Sequence, residues 1–466
     1  MTAAVAAPGA LTGRRLRVAL AASVAVAVLA LLLPIAVTYD AWGWLVWGRE
    51  VVHRDLDTTG GPSWKPLPVL PTAVLSLAGS AAPAMWLVVA RTGGLLALVA
   101  VYRLAHRWGG WVAGAVAAGA LVLTPDDESG FVRLVLEGHV DAVTATLALV
   151  AVERHLDGHR TQALLLATAV ALSRPEAWPF LAGYALWLLA RRAVPRWVVV
   201  ASLVAVPVLW FGGDWWGSGD WWHGADAAQV LTGSGGGRLE RALDRAGEMV
   251  PWPVWIPTAY AVVEALRRRD RSQLALAGLA AGWSAVVVGM CVAQGYAALG
   301  RFFLVAAAVV CIGAGLGVAA ALEAARRGGT RAALVPLAVV VAAAPFLWPR
   351  VHVLRRFADE APARARFERD LAAAVRSAGG REAVLACGAV AVENRDHALA
   401  ARPALAWELD VPLSAVWSDL GGGPGVLLVQ RGSVQDAALA GQAAGPARLL
   451  GTSREWAVYA VGCPEG

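Results

Sequence analysis

The sequence has little charge and almost no lysine. Only 16% of its 466 residues are charged, whereas a soluble globular domain carries about 25%. Because 58% of the residues are hydrophobic and the mean hydropathy is +0.57, the composition argues against a soluble domain. The net charge of +6 is no sign of a nucleic-acid partner, since the arginines cluster in short breaks between apolar runs. The pattern predicts an α-helical polytopic membrane protein.

Cysteine is also scarce, and the four cysteines show no spacing typical of a metal site. Cys291 and Cys311 lie in or near apolar runs, whereas Cys387 and Cys463 lie in the polar C-terminal part. If that part is exported, the last two share an oxidising compartment and a disulfide is one interpretation. Two separate buried thiols are the other, because a sequence does not fix connectivity.

About eleven apolar runs read as membrane spans. With the arginine cluster at 13–17 placed inside, six basic clusters fall on the same side. This bias predicts a multi-pass protein of the cell membrane with a cytoplasmic N-terminus. The first run reads as a retained span rather than a cleavable signal peptide. The predicted spans are 16–37, 84–104, 111–124, 140–153, 161–173, 177–190, 197–211, 251–266, 272–292, 302–321 and 331–348.

The C-terminal part differs in pattern from the rest. We predict a transmembrane domain over 1–349 and a small extracytoplasmic α/β domain over 350–466. REAVLACGAVAVE, GVLLVQRG and REWAVYAVGC read as strands, and FERDLAAAVRSAG and SVQDAALAGQAAG read as helices.

Asp40 emerges directly after the first span, followed by Trp42, Trp44 and Trp47. The tryptophans suit a helix lying at the level of the lipid headgroups. One interpretation of Asp40 is the N-cap of that helix. The other is a functional carboxylate held beside the headgroup plane.

Lys65 is the only lysine in the chain, in the stretch SWKPLPVL. Three prolines, Pro66, Pro68 and Pro71, stiffen the backbone after it. A compact ammonium group there suits a phosphate. Snorkelling of the side chain to the membrane surface is the alternative, although arginine serves that purpose elsewhere in this chain.

Acidic and basic residues recur between 133 and 141. Arg133, Glu137 and Asp141 are spaced i, i+4 and i+8, which predicts one helix face, with His139 pointing elsewhere. Glu137, His139 and Asp141 are candidate ligands for a divalent cation. An ion-pair ladder along the helix is the alternative.

Further candidate substrate-binding residues lie at the outer ends of predicted spans. Arg174 and Glu176 follow span 5, and Arg301 precedes span 10. The tryptophan- and glycine-rich loop predicted over 214–238 is interpreted either as a mobile lid or as a static interfacial belt. Its candidate residues are Trp221, Trp222 and His223.

The order of these elements resembles the GT-C superfamily of membrane glycosyltransferases over roughly 16–350. Asp40 after span 1 looks like their catalytic aspartate, and SWKPLPVL is similar to the KPP motif of the aminoarabinose transferases. Glu137 and Asp141 are both candidates for the acidic residue of their second outer loop. SRPEAW and GRFFL resemble Arg-Pro and Arg-Tyr-Leu segments of bacterial members. The chain departs from the pattern with Asp40-Ala41 in place of an acidic pair, and with the second proline displaced to Pro68.

The resemblance implies an inverting transfer of a sugar from a polyprenyl-phosphate donor to an acceptor hydroxyl on a cell-envelope glycan, lipid or protein. Asp40 would be the general base. Lys65, with Arg174 or Arg301, would neutralise the charge on the departing phosphate. The resemblance covers hexosyl- and pentosyltransferases, mannosyltransferases among them. The alternative is a non-catalytic membrane scaffold or transporter with an exported binding domain.

Overall fold

The computed structural model describes residues 13–124, 130–229, 235–297, 299–327, 334–393, 400–441 and 447–464. The described part of the chain is mainly helical, as predicted. Its α-helices are α1 (Gly13–Leu29), α2 (Tyr39–His53), α3 (Pro66–Ser76), α4 (Ala82–Val122), α5 (Phe131–Leu136), α6 (Val140–Leu156), α7 (Arg160–Ser173), α8 (Trp178–Ala190), α9 (Arg196–Ser218), α10 (His223–Ala227), α11 (Gly235–Glu248), α12 (Trp252–Arg268), α13 (Arg271–Gln294), α14 (Leu304–Arg327), α15 (Leu334–Ser377), α16 (Arg381–Leu385), α17 (Ala401–Leu409) and α18 (Val434–Ala440).

Four helical segments of the described chain are long and apolar enough to cross a membrane: Gly79–Val122, Arg196–Ser218, Arg271–Gln294 and Gly300–Arg327. They confirm a membrane protein with several spans, while the number eleven stays a prediction. Spans 4, 5, 6 and 8 coincide with α6, α7, α8 and α12, which have 13–17 residues.

Two proposed span boundaries have clear backbone causes. Gly110 has φ +71° and interrupts α4, so predicted spans 2 and 3 are separate helical segments, as expected. The first span is shorter than predicted, because its last helical turn ends at Leu32 rather than at Val37. Pro34 follows, and it cannot donate a hydrogen bond to continue a helix.

The chain divides into two compact units. Unit 1 comprises 1–30, 88–206 and 229–357, and unit 2 comprises 31–87, 207–228 and 358–466. In unit 1, α12 and α14 pack with their backbones in close approach. A Cβ at Gly317 would lie 1.8 Å from the carbonyl oxygen of Pro257, and Thr258 Oγ1 donates a hydrogen bond of 2.9 Å to the carbonyl of Val310. Glycine is therefore required at 317.

Unit 2 contains a five-stranded sheet in the C-terminal part. The strands are β1 (Ala389–Val392), β2 (Val416–Trp417), β3 (Gly425–Gln430), β4 (Ala447–Thr452) and β5 (Trp456–Val461). Their order in the sheet is β2-β1-β3-β5-β4. The strand β1 is parallel to β2 and β3, whereas β5 is antiparallel to β3 and β4. One buried cluster of its core consists of Ala391, Leu427, Val429, Ala457 and Tyr459.

The predicted α/β character of the tail is confirmed, with local corrections. GVLLVQRG and REWAVYAVGC contain β3 and β5, and SVQDAALAGQAAG contains α18. REAVLACGAVAVE is wrong as one strand, because 381–385 is helical and only 389–392 is extended. Gly388, with φ +90°, separates the two. FERDLAAAVRSAG lies in α15, which runs without interruption from 334 to 377. Of the two interpretations of Cys387 and Cys463, the disulfide is the one present.

Candidate functional site

Asp40 lies in the first turn of α2, in unit 2. The N-cap of this helix is Thr38, which has extended backbone angles, so the interpretation of Asp40 as the cap is wrong. A carboxylate in the first turn is favoured by the helix dipole. Asp40 is nevertheless only 7% exposed, and a buried carboxylate requires a compensating charge.

The tryptophans of α2 do not form an exposed belt. Trp44 and Trp47 are fully buried, and Trp42 is 6% exposed. Trp44 packs edge-on against Trp86 with ring centroids 5.7 Å apart. The rings are therefore enclosed by protein rather than presented to lipid. The level of α2 relative to the headgroups stays a prediction.

Lys65 is positioned by the proline that follows it. A residue before proline is driven to extended angles, and Lys65 has φ −144° and ψ 116°. Pro66 then begins α3, where its missing N–H costs nothing because the first helical N–H groups lack partners in any case. Lys65 thus stands at the start of α3 with a backbone that the local sequence dictates.

The Lys65 ammonium faces the Asp40 carboxylate, with Nζ 3.8 Å from Oδ2. It also lies 5.4 Å from the centroid of the Trp44 ring, within range of a cation–π interaction. Because the Lys65 side chain is only 8% exposed, the snorkelling interpretation does not describe it. The two residues singled out from separate segments form one buried pair.

The helices that carry this pair are held together at close range. A Cβ at Gly48 would lie 2.5 Å from the carbonyl carbon of Thr72, so only glycine allows α2 to approach α3 this closely. Thr72 is fully buried, and its Oγ1 donates a hydrogen bond of 2.7 Å to the carbonyl of Trp44. The geometry of the Asp40–Lys65 pair therefore depends on the α2–α3 contact.

A second contact fixes α2 from the C-terminal part of unit 2. Arg49 Nη2 donates to the carbonyl of Val411 at 2.9 Å, and its Nη1 lies 2.8 Å from Asp410 Oδ1. Its guanidinium also lies 5.3 Å from the ring centroid of Trp407. The helix that carries Asp40 is thereby tied to α17.

Glu50 and Asp57 belong to this region, although neither lies in one of the sequence motifs described above. Glu50 is 3% exposed, and its Oε2 accepts a hydrogen bond of 3.0 Å from the Asp57 N–H. Burial raises the pKa of Glu50 to about 8. Burial alone would raise the pKa of Asp57, but hydrogen bonds from Ser414 and Thr59 outweigh it and lower that pKa. The sequence signal that could have identified Glu50 is an acidic residue within an apolar helix.

In unit 1 the segment 133–141 is not one helix. Its helix α5 ends at Leu136, Gly138 has φ +80°, and α6 begins at Val140. The predicted pair of Arg133 and Glu137 is present, with Nε 3.0 Å from Oε1. The shared face with Asp141 is wrong, because the left-handed glycine turns the chain between the two acidic residues.

That turn brings His139 into the charged cluster, contrary to the prediction that it points elsewhere. Its Nε2 lies 3.5 Å from Glu137 and its Nδ1 lies 3.9 Å from Asp141. Arg301 Nη1 lies 3.0 Å from the same Nδ1. Among the described residues, no group of three or more His, Cys, Asp or Glu side chains is placed to hold a metal ion. The geometry is that of an ion-pair network.

Arg174 lies between two buried carboxylates of this network, those of Asp141 and Glu176. Its guanidinium contacts Asp141, lies 3.9 Å from Glu176 and stacks 4.2 Å above the Phe302 ring. Tyr296, which was not among the residues predicted from the sequence, donates a hydrogen bond of 3.2 Å to Glu176. Burial raises the pKa of Tyr296 far above its ordinary value, so it remains a donor.

The six charged members of the network balance in number, since three arginines face three carboxylates. The members are Arg133, Glu137, Asp141, Arg174, Glu176 and Arg301.

The stretch 214–238 is largely helical where it is described, which corrects its description as a loop. It contains the end of α9, all of α10 and the start of α11, while residues 230–234 lie outside the described part. Trp221 and Trp222 are 50% and 60% exposed, as expected of interfacial rings. His223 begins α10 and interacts electrostatically with Asp57. Lid motion stays a prediction.

Comparison with known proteins identifies the fold of this chain. No protein-family model matches the sequence, and no curated protein matches it significantly. The crystal structure of ArnT from Cupriavidus metallidurans bound to undecaprenyl phosphate is similar, with a TM-score of 0.57 and 17% identity over 97% of this chain and 98% of that chain. The apo-state structure of the same protein gives 0.56 and 16% over 97% and 99%. The chain therefore has an ArnT-like fold, as the sequence resemblance implied.

Proposed function

We propose that this protein is a membrane glycosyltransferase that transfers a sugar from a polyprenyl-phosphate donor to an acceptor hydroxyl. The observation that carries the proposal is the buried Asp40–Lys65 pair, with 3.8 Å between Nζ and Oδ2, in a chain of ArnT-like fold. The solved ArnT bound to undecaprenyl phosphate supports the donor class.

The pair supplies both groups that such a transfer requires. Asp40 accepts the proton of the acceptor hydroxyl as its oxygen bonds to the anomeric carbon. The bond from that carbon to the phosphate oxygen breaks, and its electrons leave with the polyprenyl phosphate. Lys65 stabilises the negative charge that develops on the phosphate. Attack opposite the leaving group inverts the anomeric centre.

The lysine is suited to this role by its compact charge. An ammonium group is a point charge that can approach one phosphate oxygen, whereas a guanidinium is planar and larger. Pro66 fixes the backbone of Lys65 before any ligand arrives, so little ordering is needed on binding. The uniqueness of Lys65 in a chain rich in arginine supports a specific function.

We propose that Arg174 and Arg301 of unit 1 contact an anionic group of a substrate. Arg301 contacts His139 at 3.0 Å, and the Arg174 side chain is 2% exposed. We also propose that the C-terminal domain is extracytoplasmic. Its disulfide between Cys387 and Cys463 supports an oxidising compartment.

The test is transfer by the purified protein in lipid nanodiscs, using a panel of radiolabelled polyprenyl-phosphate sugars and a lipid extract as acceptor. We expect one donor to give labelled product of inverted configuration with release of polyprenyl phosphate. Asp40→Asn is the matched control, because it keeps the shape of the side chain and removes the base. Equal product from the wild type and Asp40→Asn would contradict the proposal.

A further inference from the structure

Unit 1 contains an elongated cleft of about 490 Å³ that the proposed transfer does not use. Its walls come from α6, α7, α8 and α13, and most of the lining side chains are alanine, leucine, valine and aromatic residues. None of the six charged residues of the unit 1 network lines it. Such an apolar lining favours a hydrocarbon ligand.

The length of the cleft corresponds to one leaflet of a bilayer. Along α13 its lining extends from Arg271 to Trp283, which is about 18 Å at 1.5 Å per residue. The hydrocarbon core of a bilayer is about 30 Å thick, so one leaflet is about 15 Å. A single acyl chain that enters from the leaflet surface would fill this length.

One end of the cleft is lined by a fixed aromatic pair. Phe180 and Trp283 stack with centroids 5.9 Å apart. Trp283 Nε1 donates a hydrogen bond of 2.8 Å to the carbonyl of Phe302, which holds the ring in place. This end offers a methyl terminus an apolar floor.

The opposite end is polar and basic. Arg271 and Ser272 line it, together with His155, whose Nδ1 lies 2.9 Å from Tyr184 Oη. Arg160 stacks 5.4 Å above the ring of Trp187, which also lines the cleft.

The acidic residue next to Arg271 is already engaged. Asp270 Oδ1 accepts hydrogen bonds from the backbone N–H groups of Ser272 and Gln273 at 3.0 and 3.1 Å. The carboxylate therefore caps α13, and the basic groups determine the charge at this end of the cleft.

We propose that this cleft is a binding site for an anionic glycerophospholipid, with one acyl chain along α13 and the phosphate at Arg271 and Ser272. The apolar length accounts for the chain, and the basic end accounts for the headgroup. A polyprenyl phosphate shares the anionic headgroup, but an undecaprenyl chain is several times longer than the cleft. The site is distinct from the buried pair that carries the proposed transfer.

The experiment uses phosphatidylglycerol and phosphatidylcholine that carry the same photoreactive acyl chain, each in nanodiscs with the full-length protein. After irradiation, mass spectrometry measures labelled peptides from α8 and α13. We expect phosphatidylglycerol to label these peptides about fivefold more than phosphatidylcholine, the preference typical of one basic residue near an anionic headgroup. Arg271→Gln should remove this preference.

Two further variants complete the test. Arg267→Gln is the matched control, since Arg267 is exposed on α12, pairs with Glu264 and should leave the labelling unchanged. Ala275→Trp should fill the cleft and reduce labelling by both lipids, with folding checked by size-exclusion chromatography. Equal labelling by the two lipids in the wild type, or a preference that survives Arg271→Gln, would overturn the proposal. Stronger labelling by a photoreactive polyprenyl phosphate would also overturn it.

Discussion

Removing either member of the Asp40–Lys65 pair leaves a buried charge, whereas removing both does not. The variants Asp40→Asn, Lys65→Met and the double variant therefore separate a structural role of the pair from a catalytic one. Both replacements keep the approximate shape of the side chain they replace.

The structure sets the expected magnitudes. The Lys65 and Asp40 side chains are 8% and 10% exposed and 3.8 Å apart, which corresponds to an attraction of about 4 kcal/mol at an effective dielectric constant of about 20. Each single variant should lower the free energy of unfolding by about 3–5 kcal/mol, because the remaining charge lacks this partner. The double variant should lose far less, since neither charge remains.

Turnover should follow a different pattern. Asp40→Asn should lower it by about 10²–10⁴, the usual contribution of a general base, and the double variant should be at least as slow despite its restored stability. Lys65→Met should lower donor use by roughly 10- to 150-fold. Thermal unfolding in detergent and the radiolabelled transfer assay measure the two quantities. A double variant within about tenfold of wild-type turnover would refute the catalytic assignment and leave a structural ion pair.

Four other predictions concern unit 2. Because burial raises the pKa of Glu50 to about 8, the folded state retains a proton that the unfolded state releases above about pH 4.5. Stability should therefore fall as pH rises from about 5 to 8. In Glu50→Gln the unfolding temperature, measured by thermal unfolding, should depend less on pH across that range. Gly48→Ala should separate α2 from α3 and lower turnover more than it lowers donor binding, and an unchanged kcat would contradict the packing argument. Loss of the Cys387–Cys463 disulfide, which closes a separation of 76 residues, should cost the C-terminal domain about 4 kcal/mol, measured by urea unfolding of Cys-to-Ser variants. Protease added to intact spheroplasts should cleave within 358–466, and full protection would reverse the proposed topology.

Much of the fold could be predicted because lipid imposes simple rules on sequence. Long apolar runs coincide with helices, since backbone groups in a membrane must be paired within the helix. Asp40 and Lys65 could also be predicted as candidate functional residues, because each is an exception to a local pattern. Asp40 is a carboxylate directly after a span, and Lys65 is a lysine in a chain that otherwise uses arginine. The contact between them could not be predicted from the sequence, since it depends on the approach of α2 to α3.

Two of the errors, at 133–141 and at 381–393, have the same physical origin in a single glycine that turns the chain. The pattern from 133 to 141 fits one helix, and only the positive φ of Gly138 shows that Glu137 and Asp141 lie on different elements. Glycine tolerates both helical and left-handed angles, so its presence does not decide between them. The burial of the α2 tryptophans could not be predicted for another reason, since a tryptophan at a membrane surface and one inside a protein look alike in sequence.

The prolines around Lys65 also act on the chain before it folds. Pro66 disfavours helical angles at Lys65 in the unfolded state as well as in the folded state, so the unfolded chain has fewer conformations to lose. The extended backbone of Lys65 is therefore partly present without any tertiary contact. Replacing Pro66 would leave every contact of the ammonium group available, yet lower the fraction of molecules in which that group is correctly aimed.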